Sequence, residues 1–322
     1  MSNVPSMRAW QLTAVNEPLS PAEIPEPVPG PGEVVLDVMA AGLCHSDVSA
    51  MTDPTYLSAS PKLPVVMGHE IAGVVSSLGD GVSDVSIGDR VGVWPIGVTG
   101  SPGYSRDGGF TYKHRAPAGD LVRVPDGLGF ELAAMGTDAG MTSHHAVMTR
   151  GGVKAGDKVG IIGLGGLGQI GARIAVIVGA DVHVAEVNEA AWPLAEQIGA
   201  TSILADAAEW AGQDFDVIID FAGYGTTTAD AIRAIRRDGR VVLVGMGRTS
   251  MTLDTTDVVR RQARIYGSHG GTREDVAAVY ELLRTGAITP AYTVIDFDAI
   301  PQALEDLRHH RVTGRLVARI PG

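Results

Sequence analysis

The pattern of apolar and polar positions changes rhythm once along the chain. Over roughly the first 130 residues, short apolar or alternating runs such as "EVVLDVMAAG", "EIAGVVSSLG", "DRVGVWPIG" and "LVRVPDGLG" are cut off by glycine and proline. Alternation predicts half-buried strands and the punctuation predicts turns, so this part reads as an irregular β-rich domain. The run "PLSPAEIPEPVPGPGE" (18–33) reads as an extended connector, since proline fixes φ and removes a donor. From residue 139 the apolar runs "KVGIIG", "DVHVAEV", "FDVIIDFAG", "RVVLVGM" and "ARIYGSHG" have helix-like stretches between most of them, the spacing of βαβ units. They predict a doubly wound parallel sheet. After residue 272 come a helix in "REDVAAVYELLRTG", a strand in "YTVIDFD", a helix in "AIPQALEDLRHHRVTG" and a last strand "RLVARI". Two helices and two isolated strands cannot form a core alone, so this tail is expected to complete the first domain. The expected domains are 1–138 with 273–322, and 139–272, and the expected class is α/β.

Composition narrows the picture. A chain of 322 residues, 45% hydrophobic and 19% charged, is of ordinary globular make-up and long enough for two cores. Its net charge of −12 and lack of a Lys/Arg run argue against nucleic acid. One cysteine cannot form an internal disulfide. No signal-like start and no uninterrupted long apolar segment is visible, so the expectation is a cytoplasmic protein that handles small molecules, away from membranes.

Candidate chemistry begins with "KVGIIGLGGLGQIGARIAVIVGADVHVAEV". Here Gly163, Gly165 and Gly168 follow a strand and open a helix that Gly179 is placed to end, with Gly166 and Leu167 inside the turn. Glycine is needed first for the turn, then so that backbone can approach a pyrophosphate, and last for close helix-to-strand contact. In this context the pattern reads as a Rossmann dinucleotide fingerprint. Glu186 ends the next strand 18 residues after Gly168 and can accept from a ribose hydroxyl. "EVNEAAW" has no basic residue to hold a 2′-phosphate, which favours NAD over NADP. Asp220, Gly223 and Gly245 stand at later strand ends, either at the cofactor or as ordinary strand-terminal turns.

A solitary cysteine, taken alone, reads first as a buried, inert side chain. "GLCHSD", however, is followed by "MGHEIAG" and then by "MGTDAGMTSHHAV", and thiolate, imidazole and carboxylate form a ligand set suited to zinc. The words "GLCHSD", "MGHEIAGVV", "GDRV", "TDAGMTSHHAV", "GLGGLGQIG" and "VTGRLV", in this order, resemble the zinc-dependent medium-chain alcohol dehydrogenases from near Met7 to the end. The resemblance implies a GroES-like β-rich catalytic domain beside the Rossmann domain. It implies one catalytic zinc held by Cys44, His69 and Asp138, with Glu70 beside it. Asp47 would orient His69, Ser46 would bond the substrate oxygen and pass on its proton, and His45 and Arg315 would meet the cofactor. A homodimer or homotetramer is implied as well, with "ARIYGSHG" as a contact. The chain departs from many relatives in two ways: the interval "GVWPIGVTGSPGYSRDGGF" lacks the four-cysteine lobe of a structural zinc, and Ser49 stands where a relay histidine is often found.

The implied activity is reversible hydride transfer between a primary or secondary alcohol and NAD. Two rivals stay open: a zinc-independent reductase of activated C=C or C=N bonds on the same fold, and a dinucleotide-binding protein without turnover.

Overall fold

The strand Glu33–Leu43 is the spine of the first half of the molecule, apolar and buried along most of its length. In a computed structural model, which describes residues 5–54, 56, 63–97 and 99–321, it is the most heavily paired strand of a seven-stranded sheet. The sheet runs in the order Tyr292–Asp296, Arg315–Arg319, Glu33–Leu43, Glu70–Leu78, Arg90–Val93, Leu121–Arg123, and Lys113–Pro117 also pairs with Glu33–Leu43. Most pairings are antiparallel. The C-terminal strand Arg315–Arg319 sets Leu316 opposite Leu43, while Glu33–Leu43 sets Gly42 opposite Glu70.

The chain divides into two compact units, Met1–Asp138 with Thr272–Thr285 and Tyr292–Gly322, and Ala139–Gly271 with Gly286–Ala291. Residues 286–291, expected in the first domain as part of 273–322, group instead with the second unit, where the Gln169 side-chain amide brackets Ala291. Its oxygen accepts from the Ala291 N–H at 2.7 Å and its nitrogen donates to the Ala291 carbonyl at 3.1 Å.

Part of the proline-rich run differs from expectation. Ser20–Pro25 is an edge strand of a three-stranded sheet with Ser6–Leu12 and Val65–Val66. Pro21 sits opposite Trp10, whose N–H is donated the other way, to the Phe110 carbonyl at 2.9 Å. No donor is asked of the proline, which is why an edge tolerates it.

In the second unit, six strands run parallel in the order Ser202–Leu204, Asp181–Ala185, Lys158–Ile162, Phe215–Asp220, Ile235–Leu243, Arg264–Gly267. The first strand in sequence lies in the middle and the order reverses beside it, the switch point at which doubly wound sheets bind ligands. The helix Gly168–Val178 follows that strand, and Gly179, at φ 92°, ends it in the left-handed conformation that glycine adopts without strain. Among the described residues no helix is long and apolar enough to cross a membrane.

Candidate metal centre and dinucleotide turn

Cys44 leaves the end of the spine strand and caps the helix His45–Thr52. The word "CHSD" builds this start, because Asp47 reaches back to accept the Cys44 N–H at 2.9 Å while its own N–H is donated to the Cys44 carbonyl at 3.0 Å. The other Asp47 oxygen lies 3.1 Å from His69 Nδ1. One buried carboxylate therefore ties the cysteine's backbone to the histidine's outer nitrogen.

His69 follows Gly68, whose φ of 92° turns the chain into the strand Glu70–Leu78. Its Nε2 faces inward, 3.3 Å from Asp138 Oδ2 and 3.3 Å from Ser46 Oγ. Asp138 lies in a π-helical stretch, Gly136–Gly140, within a helical run from Phe130 to Arg150. Such widened turns often occur at functional sites. Cys44, His69, Glu70 and Asp138 each offer a ligand atom, and these atoms lie within 4.8 Å of one another.

Charge explains the pulls on this cluster. Burial works against ionising the Cys44 thiol, but the Arg315 guanidinium and His69 bring it below its ordinary value. Asp138 is held well below the usual carboxylate range, burial being outweighed by His69 and Arg315. Glu70 is pushed well up by burial and by Asp138 and Cys44, against the pull of Arg315.

Arg315 is a correction. Expected at the cofactor, it is 3% exposed and turned inward. Its guanidinium pairs with Glu70 and reaches Asp138 at 3.4 Å, so its donors are spent on the acidic cluster. The reason is electrostatic: a buried group of carboxylates without a cation beside it would be costly. His45, also expected at the cofactor, has its ring stacked on His310 with centroids 5.8 Å apart.

Tyr104 is a member of the site that sequence reasoning missed. Its hydroxyl lies 3.2 Å from His69 Nδ1, and the two rings are 5.3 Å apart at 39°. It comes from the short interval that carries no cysteine; the one visible signal was the density of glycine around it, with Gly100, Gly103, Gly108 and Gly109 close by.

In the second unit the glycine turn separates the three roles. Gly163 has φ 86°; a Cβ on Gly168 would stand 1.8 Å from the Gly163 carbonyl oxygen; a Cβ on Gly165 would meet nothing within 4 Å. The first supplies the turn, the last the close helix approach, and the middle one leaves backbone open to a ligand. Gly166 lies partly exposed inside the turn, and the Leu167 carbonyl accepts from Ser143 Oγ at 2.8 Å. Glu186 stands at the end of the second strand and accepts from the Leu164 N–H at 2.6 Å and the Asn188 N–H at 2.7 Å. Its carboxylate thus also holds the turn. Gly245 packs on the 221–222 backbone, where a Cβ would come to 2.4 Å of the Phe221 carbonyl oxygen. Asp220 is saturated by Ala222 and Gly223 N–H and by the hydroxyls of Thr227 and Thr228, which makes it a fastener of its loop.

The chain matches known families over parts of both units. Residues 30–150 match the model described as "Alcohol dehydrogenase GroES-like domain" and residues 166–285 the one described as "Zinc-binding dehydrogenase". An alcohol dehydrogenase of Geobacillus stearothermophilus is 30% identical over 339 aligned residues, covering 98% of this chain and 100% of that protein. Acetophenone reductase from Geotrichum candidum, solved in complex with NAD, matches with TM-score 0.91 at 30% identity over 99% of this chain and 98% of that one. The cobalt- and zinc-bound thermostable alcohol dehydrogenase from Pyrobaculum aerophilum matches with TM-score 0.88 at 26% identity, covering 98% and 100%. The chain belongs to the medium-chain dehydrogenase/reductase family.

Proposed function

We propose that the protein is a zinc-dependent alcohol dehydrogenase that exchanges a hydride between a primary or secondary alcohol and NAD, giving an aldehyde or ketone. The observation that carries this is the convergence of Cys44, His69, Glu70 and Asp138 on one small volume. The donor set fits zinc: a thiolate, an imidazole nitrogen and carboxylate oxygens are its usual ligands. The charge fits as well, since three acidic ligand groups face the single guanidinium of Arg315, and a divalent cation balances the excess.

Cys44, His69 and Asp138 would hold the ion, with Glu70 drawn back by Arg315. When bound, zinc supplies Lewis-acid stabilisation of negative charge developing on a substrate oxygen. NAD supplies the hydride chemistry and needs from the protein binding and orientation. Gly163, Gly165, Gly166, Leu167 and Gly168 would take its pyrophosphate, and Glu186 its ribose. Asp47 keeps a proton on His69 Nδ1, which leaves the Nε2 lone pair free. Ser46, on the same side of His69 as Asp138, would accept the proton of the substrate hydroxyl and pass its own toward the cofactor ribose and from there to bulk water. Assembly is as a homodimer or homotetramer, with the strand Arg264–Gly267 at the sheet edge as a contact.

The test is metal analysis coupled to NAD and NADP reduction over primary, secondary and aromatic alcohols. One zinc per chain is expected, with NAD reduction lost on chelation and restored by zinc. Undiminished turnover by metal-free protein would favour the zinc-independent reductase and end the proposal.

A further inference from the structure

Tyr104 reaches His69 from an unusual support. The Gly108 N–H donates to the Val66 carbonyl at 2.7 Å, the Gly109 N–H to the Gly68 carbonyl at 2.8 Å and the Phe110 N–H to the Met67 carbonyl at 2.9 Å. Asp107 Oδ1 accepts from the Val66 N–H at 3.0 Å. The approach is close enough to require glycine: a Cβ on Gly108 would stand 2.1 Å from the Gly68 carbonyl oxygen, and one on Gly103 would come to 3.0 Å of the Gly68 nitrogen. Ser101 closes the loop on itself, its N–H donating to Ser105 Oγ at 2.9 Å and its carbonyl accepting from the Ser105 N–H at 3.1 Å. Arg106 ties the loop to Asp120 at 3.1 Å. The segment that carries Tyr104 is therefore built directly on the three residues before His69.

We infer that Tyr104 is a positioning residue for the metal-facing histidine, its hydroxyl and ring fixing the plane of His69 together with Asp47. The inference rests on the zinc reading proposed above. An imidazole held by one partner on its outer nitrogen can still rotate about that hydrogen bond. A second group at the same nitrogen, 3.2 Å away and packed ring against ring, removes that freedom and keeps Nε2 aimed at the cluster. Partners of this kind set the orientation of a ligating histidine and usually change metal affinity 10- to 100-fold. The hydroxyl touches no other ligand of the set among the hydrogen bonds described, so its effect passes through His69.

The experiment compares zinc-loaded wild type with Tyr104→Phe, which keeps the ring and deletes the hydroxyl. Release of zinc to excess EDTA is expected to be about tenfold faster in the variant. The visible bands of the cobalt-substituted variant should shift, because they follow the geometry of the ligands. In turnover, kcat should fall more than KM changes, since the hydroxyl acts through His69. Gly108→Ala, which keeps the hydroxyl but drives the loop off Gly68, should hasten zinc release in the same direction. Zinc release within twofold of wild type and an unchanged cobalt spectrum in folded Tyr104→Phe overturn the assignment of Tyr104 alone. A wild-type chain that takes up no zinc overturns the metal reading and this assignment together.

Discussion

The two candidate sites are assembled in opposite ways. The dinucleotide turn is local: strand, three glycines, helix and second strand follow one another between Lys158 and Glu186, and the close approach at Gly168 is to the Gly163 carbonyl of the same turn. The metal cluster is global: Cys44, His69, Asp138 and Arg315 come from four elements far apart in sequence, joined by the pairing of Glu33–Leu43 with Glu70–Leu78 and Arg315–Arg319. Damage to the first should leave the metal site as it is, whereas damage to the second should reach the ligands through the sheet that assembles them.

The largest effect is expected from Cys44→Ala or His69→Ala. Each should cut alcohol oxidation by about a thousandfold or more, in line with losing a Lewis acid worth several kcal/mol. NAD binding, measured by fluorescence titration, should survive. Normal turnover in both variants would remove the metal from the mechanism. Next is Gly168→Ala, where the new methyl overlaps backbone at Gly163 and has no flexible side chain to displace. A loss of about 3 kcal/mol of stability and a weaker NAD complex are expected, with zinc content unchanged. Gly42→Ala breaks the other side of the comparison. Its Cβ would stand 1.7 Å from Glu70 Oε2, driving Glu70 out of its pairing with Arg315. Denaturant unfolding should show about 2 kcal/mol lost, and zinc release should quicken although Cys44, His69 and Asp138 are unchanged.

A pH dependence sharpens the contrast. His114 is buried on the strand Lys113–Pro117, with Nδ1 3.2 Å from the Gly108 carbonyl oxygen. Burial, helped by Arg106, depresses its pKa to about 3. In the unfolded chain it titrates near 6.5. The unfolded state therefore takes up the proton first, and stability present above pH 6.5 is lost as pH falls toward 3. Between pH 7 and 5, wild type should lose about 2 kcal/mol more than His114→Asn, read from urea midpoints at the two pH values. Equal losses would show that His114 stays accessible to protons. The smallest stability effect belongs to Gly165→Ala. Open space surrounds its Cβ, so the melting temperature should not move, while NAD affinity should drop severalfold. A variant that binds NAD normally would take the pyrophosphate away from this residue.

Much of this was legible beforehand because it depends on short-range chemistry. The helix ended by Gly179, the parallel strands with their βα spacing and the fingerprint turn follow from periodicity and from which residues tolerate a turn. Asp47 beside Cys44 was also local, a side chain returning three residues to an N-terminal backbone. Other features were not legible. Ser20–Pro25 looks like a loop because its prolines are visible, whereas the direction of the Trp10 N–H opposite Pro21 is a property of the paired strand. Arg315 was expected at the cofactor through the family resemblance alone, and its inward turn depends on the carboxylates that pairing brings beside it.

By itself, then, the sequence determined the kinds of element, the glycine turn and the inventory of ligating groups, since propensity, periodicity and donor chemistry belong to residues and their near neighbours. Tertiary structure decided which groups share one volume, where the guanidinium is spent and that Tyr104 stands at the back of His69. Those contacts join positions tens to hundreds of residues apart, and only strand pairing and burial convert such separations into a few ångströms.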